Sequence, residues 1–242
     1  MKNSFLLAFI TVLLCCSSCN NDKVLKGEGV ADIITPKVGS FNIVQAELPL
    51  KMSITIRKGA ATSIKFRGFS NLLSHIKTKV ENNILFITSD LDGHVRLDSK
   101  DVVAEVVMPE LKELYLSFDA NAEIHGSITG NDFKTTVNGN SVVSIDDINT
   151  DKFSYKVTGN GSLDVYKGTA RLAMFSADGE SKIRAFSLQA TEASVSMKGQ
   201  GKCEISATKK LTTSIGASCA LKYKGHPEVT KDPEGGTIYN DN

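Results

Sequence analysis

The chain has no tryptophan, and aromatic residues make up only 7% of it. Charge of one sign is not in excess, because 28 basic residues stand against 27 acidic ones. This balance argues against a protein whose overall field attracts nucleic acid or an anionic membrane. Beyond the N-terminus, no amphipathic stretch reaches the roughly ten residues that indicate a helix. A hydrophobic content of 41% still allows a sizeable core, and the glycine content favours a turn-rich β-protein.

Motifs that would identify an enzyme or a metal site are also missing. The body of the chain contains no phosphate-binding loop, nucleophile elbow or Cys-x-x-Cys pair. Asp90 and Asp92 lie in a polar loop, but the loop lacks the dense oxygen-ligand pattern of a calcium site. The histidines are spread over distinct segments without the spacing of metal ligands: His75, His94, His125 and His226. We therefore predict no cofactor and no bound metal.

The N-terminus carries an apolar run of its own. The run covers residues 5–14 behind Lys2; it is too short to span a bilayer with ease and is typical of a signal-peptide core. Small residues before Cys19 and polar residues after it resemble a bacterial lipoprotein signal, whose cysteine becomes acylated after cleavage. Cys16 stands where that motif usually has an apolar residue, so acylation at Cys15 or Cys16 and a plain secretory signal are the alternatives. We predict a signal peptide over 1–19 and lipidation at Cys19.

Two cysteines, Cys203 and Cys219, lie in the body of the chain. Their spacing nearly matches one repeat of the pattern described below without aligning the two residues. Their Cα atoms are then expected about 8 Å apart, beyond easy reach of a disulfide. We predict free, packed thiols.

Residues 20–40 are predicted to form a tether, because glycines and Pro36 interrupt any regular element there. From residue 41 onward, alternating polar and apolar residues indicate strands. A short helical turn is expected at 70–74, and a polar insertion or exposed loop at 89–100.

These patterns divide the β-domain, 41–239, into an irregular first part over 41–101 and regular repeats over 102–225. Residues 226–242 are interpreted as a C-terminal cap or tail.

The most informative pattern is the repeat itself. A short cluster of small and polar residues recurs about every twenty positions, a period typical of stacked coils. The clusters are Ala120-Asn121-Ala122, Gly139-Asn140-Ser141, Gly159-Asn160-Gly161, Gly179-Glu180-Ser181, Gly199-Gln200-Gly201 and Ala217-Ser218-Cys219. We predict an all-β solenoid with coils of about 20 residues.

Alignment on the clusters places apolar residues in columns, which are expected to face inward because strand side chains alternate between faces. Two of the columns are Ile124, Val143, Leu163, Ile183, Cys203, Leu221 and Phe118, Val137, Val157, Ala177, Met197, Ile215. A third column is Leu114, Phe133, Phe153, Ala173, Ala193, Leu211, and a fourth is Gly126, Ile145, Val165, Ala185, Ile205, Tyr223.

The first residue of each cluster is small, as a sharp corner requires, because a corner needs positive φ or close approach of backbones. We expect structural corners at four glycines: Gly139, Gly159, Gly179 and Gly199. The middle residues of the clusters are polar and are predicted to form an outward stack that hydrogen-bonds from coil to coil.

One outward column alternates in charge. Asp164, Arg184 and Glu204 are predicted to form a surface ladder in which each residue lies opposite a neighbour of the other sign. The same column is expected to contain His125, Ser144 and Ala220.

The clusters are variants of a Ser-Gly-Ser-Gly theme, and they end at Tyr223-Lys224-Gly225-His226-Pro227. With the strand–turn–strand pattern over 76–87, these features resemble the head GIN domain family of bacterial autotransporter adhesins, over about residues 41–239. The resemblance implies a right-handed β-helix of single strands and an exported, cell-envelope location. It implies no catalytic residues.

Three functional classes follow. The preferred one is a non-enzymatic, lipid-anchored binding or adhesion module of the cell envelope. We expect an outer-membrane lipoprotein facing the periplasm or the outside, bound to the membrane by its lipid and to an unknown protein or glycan, with no nucleic acid.

The alternatives are a self-associating envelope scaffold, which leaves a homo-oligomer open, and a polysaccharide-active enzyme. An enzyme needs converging carboxylates, for which Asp146, Asp147 and Asp164 with Arg184 are the candidates. A solvated face with ion pairs is the preferred interpretation of these residues.

Overall fold

The structure is a computed structural model that describes residues 23–91, 95–232 and 235–242. The predicted signal peptide, Cys19, Asp92 and His94 lie outside the described residues. Within those ranges no helix has the length and apolar character needed to cross a membrane.

The described chain is 71% strand. The strands are β1 (Lys23–Leu25), β2 (Ala31–Ile34), β3 (Ile43–Ala46), β4 (Lys51–Ile56), β5 (Ser63–Phe69), β6 (Ile76–Glu81), β7 (Ile84–Ser89), β8 (Val95–Leu97), β9 (Val103–Met108), β10 (Glu113–Phe118), β11 (Asn121–Gly139), β12 (Val142–Thr158), β13 (Ser162–Val165), β14 (Gly168–Gly179), β15 (Lys182–Gly199), β16 (Lys202–Ile215), β17 (Ala220–Lys224), β18 (Glu228–Asp232) and β19 (Thr237–Asn240). A four-residue helix, α1 (Ser70–Leu73), confirms the predicted helical turn, and a 3-10 turn covers Ser99–Asp101.

From β11 onward the chain forms a β-solenoid of about six turns, as the repeat predicts. Strands one coil apart pair in parallel register, so that Phe133 lies opposite Phe153 and Phe153 opposite Ala173. The rings of Phe133 and Phe153 stack with centroids 5.6 Å apart. Because inward positions repeat in this way, the core is a set of largely apolar columns, with buried polar residues such as Thr135 and Thr213 among them, and no single coil could bury such a core alone.

The first part of the chain does not stack in chain order. Strands β3 and β4 pair on one side with β7 and β9, and on the other with β10 and β11. The end coil made by β7 and β9 is flanked by antiparallel strands: β6 pairs with β7, β5 with β9, and β2 with β5. This end of the stack therefore does not present the bare edges of its parallel coil strands.

The predicted register of the first coil is wrong by two residues. Leu116, not Phe118, lies opposite Val137, and Ala122, not Ile124, lies opposite Val143. The structural counterpart of Gly139 is Phe118, which has a φ of 64° and a side chain 50% exposed.

The cause is a longer first coil. The register changes between Ile124 and Ser127, at the positive-φ residue Gly126. Gly126 therefore occupies an irregularity in the strand and not the inward column in which the sequence pattern placed it.

Residues 23–34 are not the irregular tether that the sequence analysis expected. β1 pairs with β8, and β2 pairs with β5. The side chain of Asn71 fixes the chain between these strands, because its amide donates to the Lys26 carbonyl at 2.8 Å and its oxygen accepts from the Glu28 amide at 3.0 Å. Glycine and proline mark breaks here, but the short segments between them pair with β8 and β5 near the end of the stack.

The C-terminal segment, predicted as a cap or tail, continues the stack. β18 pairs with β16, and β19 pairs with β17. Asn242 holds the chain end to Gly225 through hydrogen bonds of 2.7 Å to its amide and its carbonyl.

The two described cysteines, Cys203 and Cys219, are free and buried, as predicted. Burial raises the pKa of the Cys203 thiol, since the core disfavours the thiolate. This thiol is therefore an inert part of the apolar interior.

Candidate functional site

The glycine corners are positions where backbones of successive coils come close together. Gly139, Gly159, Gly179 and Gly199 have φ values of 120°, 115°, 126° and 86°. A Cβ added at Gly179 would lie 2.3 Å from the carbonyl oxygen of Gly159 in the preceding coil. Both the positive φ and the close approach explain why these positions are glycine.

Beside these glycines, the polar cluster residues form only part of the predicted hydrogen-bonded stack. Asn140 donates to Asp119 at 2.9 Å, and Asn160 accepts from the Glu180 amide at 3.3 Å. In the described ranges, the Glu180 carboxylate and the Gln200 side-chain amide have no protein partner. The later corners therefore present unused hydrogen-bonding groups to solvent.

The residues of the predicted charged ladder follow the polar cluster residues by four positions in the same coils. Asp164, Arg184 and Glu204 lie in register on β13, β15 and β16. Arg184 binds Asp164 through both carboxylate oxygens, with one N–O distance of 2.6 Å, and this hydrogen bonding raises the pKa of the Arg184 guanidinium. Glu204 makes no ion pair with Arg184 in the described structure, so direct contact is confined to the first two residues.

The residues at the two ends of this column differ from those that the alignment of the repeats predicts. Glu123 takes the place expected for His125, and Lys222 takes the place expected for Ala220. The first change follows from the register error of the first coil.

The carboxylates considered for an enzyme bind different partners. Asp146 lies 3.1 Å from the ring of His125, Asp147 accepts from the Asn149 amide at 3.0 Å, and Asp164 binds Arg184. Among the residues with described positions, no group of three His, Cys, Asp or Glu side chains could hold a metal. Asp90, from the loop considered for calcium, binds His75 and Lys77, and those hydrogen bonds lower its pKa.

A polar groove crosses three coils beside the glycine corners and holds about 370 Å³. We call it the corner groove, and its lining residues are Asn160, Ser162, Glu180, Ser181, Lys182, Gln200 and Lys202. Ser162, Lys182 and Lys202 lie in register on β13, β15 and β16, with Asn160, Glu180 and Gln200 two positions earlier in the same coils.

A second depression of similar volume lies at another turn of the coils. It is lined by Thr150, Thr169, Ala170, Arg171, Gln189, Ala190, Thr191 and Thr208. Arg171 is engaged there by Asp151, with an Nε–Oδ1 distance of 2.7 Å, which leaves this depression without a free cation among its lining residues.

The family model described as "Putative auto-transporter adhesin, head GIN domain" matches residues 40–227. The chain belongs to the head GIN domain family. The resemblance found in the cluster residues is thereby confirmed.

Solved structures share the fold of this head GIN domain. A "putative adhesin" from Bacteroides fragilis is 23% identical, with a TM-score of 0.81 over 89% of this chain and 99% of that one. A "putative adhesin" from Parabacteroides distasonis is 20% identical, with a TM-score of 0.72 over 90% and 99%. A "putative lipid binding protein" from Parabacteroides distasonis is 22% identical, with a TM-score of 0.69 over 90% and 100%. A comparison with curated proteins finds no match.

The corner groove of this head GIN domain was missed by the sequence analysis, although its signal is present there. Lys182 and Lys202 occupy equivalent positions of consecutive repeats, so the pattern alone could have placed them side by side. The apolar columns and the alternating ladder predict the fold and its ion pairs, but they do not single out this like-charged pair.

Proposed function

We propose that this chain is an exported, lipid-anchored cell-envelope protein that binds or adheres without catalysing a reaction. Membership of a family described as adhesins supports an adhesion-type role. The observation that carries the proposal is the surface of the stack: its outward residues lie in register on successive coils, and its candidate carboxylates bind separate partners. Such a rigid stack suits presentation of a binding surface to a polymer or a protein.

A lipid on Cys19 would hold the β-domain close to the membrane, because β1 begins soon after this cysteine. Three residues separate Cys19 from Lys23, where β1 begins. An extended chain of this length reaches at most about 14 Å. If Cys19 carries the lipid, β1 and its partner β8 are held next to the membrane.

Anchorage is tested by the variant Cys19→Ser. We expect the wild-type protein in the membrane fraction with incorporated lipid label, and the variant in the soluble fraction without label. Unchanged membrane partition together with unchanged labelling of the variant would contradict lipidation at Cys19. Protease treatment of intact cells then distinguishes a surface-facing protein from a periplasmic one.

The adhesion role is tested with cells that lack the protein and with the same cells after complementation. We expect complemented cells to adhere more strongly to immobilised envelope or host glycans. Equal adhesion of both strains would refute this role. Release of reducing ends from polysaccharides by the purified protein would favour an enzyme, and concentration-dependent growth of large oligomers in size-exclusion chromatography would favour a self-associating scaffold.

A further inference from the structure

The corner groove contains two stacked cations that the protein leaves unpaired. Lys182 and Lys202 are opposite each other on β15 and β16, and both are exposed. In the part of the chain that the structure describes, neither side chain forms an ion pair or a hydrogen bond. Their neighbours in the column, Ser162 and Ala220, carry no charge. Like charges directly opposite each other in a sheet repel, so an anion placed between them is favoured.

The neighbouring polar groups extend this site along the solenoid. Asn160 accepts only a backbone hydrogen bond, so its side-chain NH₂ is free to donate. Glu180 and Gln200 add an unpaired carboxylate and an unpaired amide in the two following coils. These donors and acceptors therefore form a column beside that of the two lysines, and within each column the spacing is that of the coils, about 4.8 Å.

The groove is rigid because its backbone is part of the stack. The amide of Lys202 donates to the carbonyl of Ser181 at 2.9 Å, and that of Gln200 donates to the carbonyl of Gly179 at 3.1 Å. Binding therefore requires ordering of the side chains only, and not of the backbone that carries them.

The chemistry of these groups fits a polymer that combines hydroxyl groups with carboxylates. The lysines match the carboxylates, while the amides and Glu180 match the hydroxyls. The balanced charge of the chain, 28 basic against 27 acidic residues, gives no overall field that would attract a nucleic acid. A hexose unit of an extended glycan is also comparable in length to the coil spacing, so one chain can meet successive coils.

If the protein is anchored at Cys19, the groove is distant from the anchored end, which favours a polymer over a lipid headgroup as its ligand. The strands on this face stack in the order β9, β4, β11, β12, β13, β15 and β16. The groove strands, β13 to β16, lie four to six coil spacings from β9, roughly 20–30 Å. The groove therefore lies well away from the anchored end along the stack.

We propose that the corner groove binds an acidic polysaccharide, one that carries uronate carboxylates, with the glycan chain lying along the solenoid axis. The inference rests on the proposed adhesion function and names its site and the class of its ligand. Lys182 and Lys202 bind the carboxylates, and Asn160, Glu180 and Gln200 bind hydroxyl groups of the same chain.

The test measures binding of polygalacturonate to the purified mature chain by titration calorimetry at several salt concentrations. Lys182→Gln/Lys202→Gln should weaken binding by roughly tenfold or more. The matched control Lys209→Gln/Lys210→Gln removes the same charge from exposed lysines outside the groove and should leave binding within about twofold of wild type. Gln200→Ala should weaken binding severalfold without changing its salt dependence, because it removes a hydrogen bond and no charge.

Three results would overturn the proposal: no binding of polygalacturonate by the wild-type protein, equal weakening by both double-lysine variants, or undiminished binding after the uronate carboxyls are reduced to alcohols. Complete displacement of polygalacturonate by DNA or by phosphatidylglycerol vesicles would also overturn it, in favour of a general anion surface. Circular dichroism of each variant confirms that the fold is retained.

Cell adhesion separates this inference from the proposed function. Cells that carry the groove variant should adhere less than cells that carry the control variant. If both adhere like wild type, the groove is the wrong site and the adhesion role stands. If wild-type cells adhere no better than cells without the protein, the adhesion role itself fails.

Discussion

Replacing a corner glycine by alanine should cost much more than glycine-to-alanine changes elsewhere in the chain. At Gly179, φ is 126°, and an added Cβ would lie 2.3 Å from the carbonyl oxygen of Gly159 and 2.8 Å from its carbonyl carbon. The backbone conformation alone costs about 1–3 kcal/mol for a residue with a side chain. The contact adds to this cost, because the opposing atoms are backbone and can move only if the coil moves. We expect Gly179→Ala to lower the free energy of unfolding by about 3 kcal/mol or more.

Two other glycines separate the causes of this cost. Gly59 has a φ of 78° with no atom within 4 Å of an added Cβ, so Gly59→Ala tests the backbone conformation alone. Gly39 has open space and no positive φ, so Gly39→Ala should be neutral or stabilising by up to about 1 kcal/mol. Urea unfolding of the three variants measures the differences. A Gly179→Ala protein as stable as Gly59→Ala would refute the argument that coil-to-coil contact makes these corners glycine.

Further predictions concern the core and the surface. Val165→Asp places a charge at a side chain only 4% exposed and should cost several kcal/mol in thermal unfolding, while Asp164→Ala beside it should cost about 1 kcal/mol or less; equal costs would mean that the two faces are misassigned. The buried hydroxyl of Tyr155 has no hydrogen-bond partner, so Tyr155→Phe should leave the free energy of unfolding unchanged or raise it by about 1 kcal/mol, and a clear loss would contradict this. Hydrogen bonding to Arg171 lowers the pKa of Asp151, so stability that is present above about pH 4 is lost as the pH falls toward the lowered pKa. Arg171→Gln should therefore reduce the acid-induced fall in the urea midpoint, and an unchanged fall would argue against this contribution.

The architecture was predictable because several independent sequence signals agree. Strand alternation predicts which residues face inward, the recurring glycines predict the corners, and the period near twenty predicts the stacked coils. From β12 to β16 most coils have almost the same length, so residues twenty apart in sequence lie opposite each other, as Lys182 and Lys202 do. Local sequence therefore determines the register without knowledge of distant contacts.

The first coil was not predictable for the opposite reason. Its corner residue is Phe118, an aromatic residue with positive φ, where the next four coils have glycine. Small residues at 120–122 resemble the repeated cluster, but they lie two positions after its structural equivalent at 118–120. Nothing local reveals the longer coil, because its extra length arises at Gly126, where the strand register shifts against the next coil.

The same reasoning applies to the end of the stack. Residues 23–34 contain short segments with little pattern, and their partners β5 and β8 lie some thirty to seventy residues later. Pairing over such distances depends on the tertiary fold and not on local propensity. This explains why the sequence indicated a tether where the structure has strands.

The corner groove lies between these extremes. Its residues come from regular coils, so their adjacency follows from the repeat; their lack of protein partners follows only from the three-dimensional structure. Asp164 and Arg184 show the contrast, since they occupy the same coils and bind each other. Two columns of one face therefore differ. In the column of Asp164 and Arg184 an ion pair joins neighbouring coils, whereas in the column of Lys182 and Lys202 the charged groups have no ion-pair partner in the described structure. An anionic ligand can therefore pair with Lys182 and Lys202 without breaking an ion pair that joins the coils.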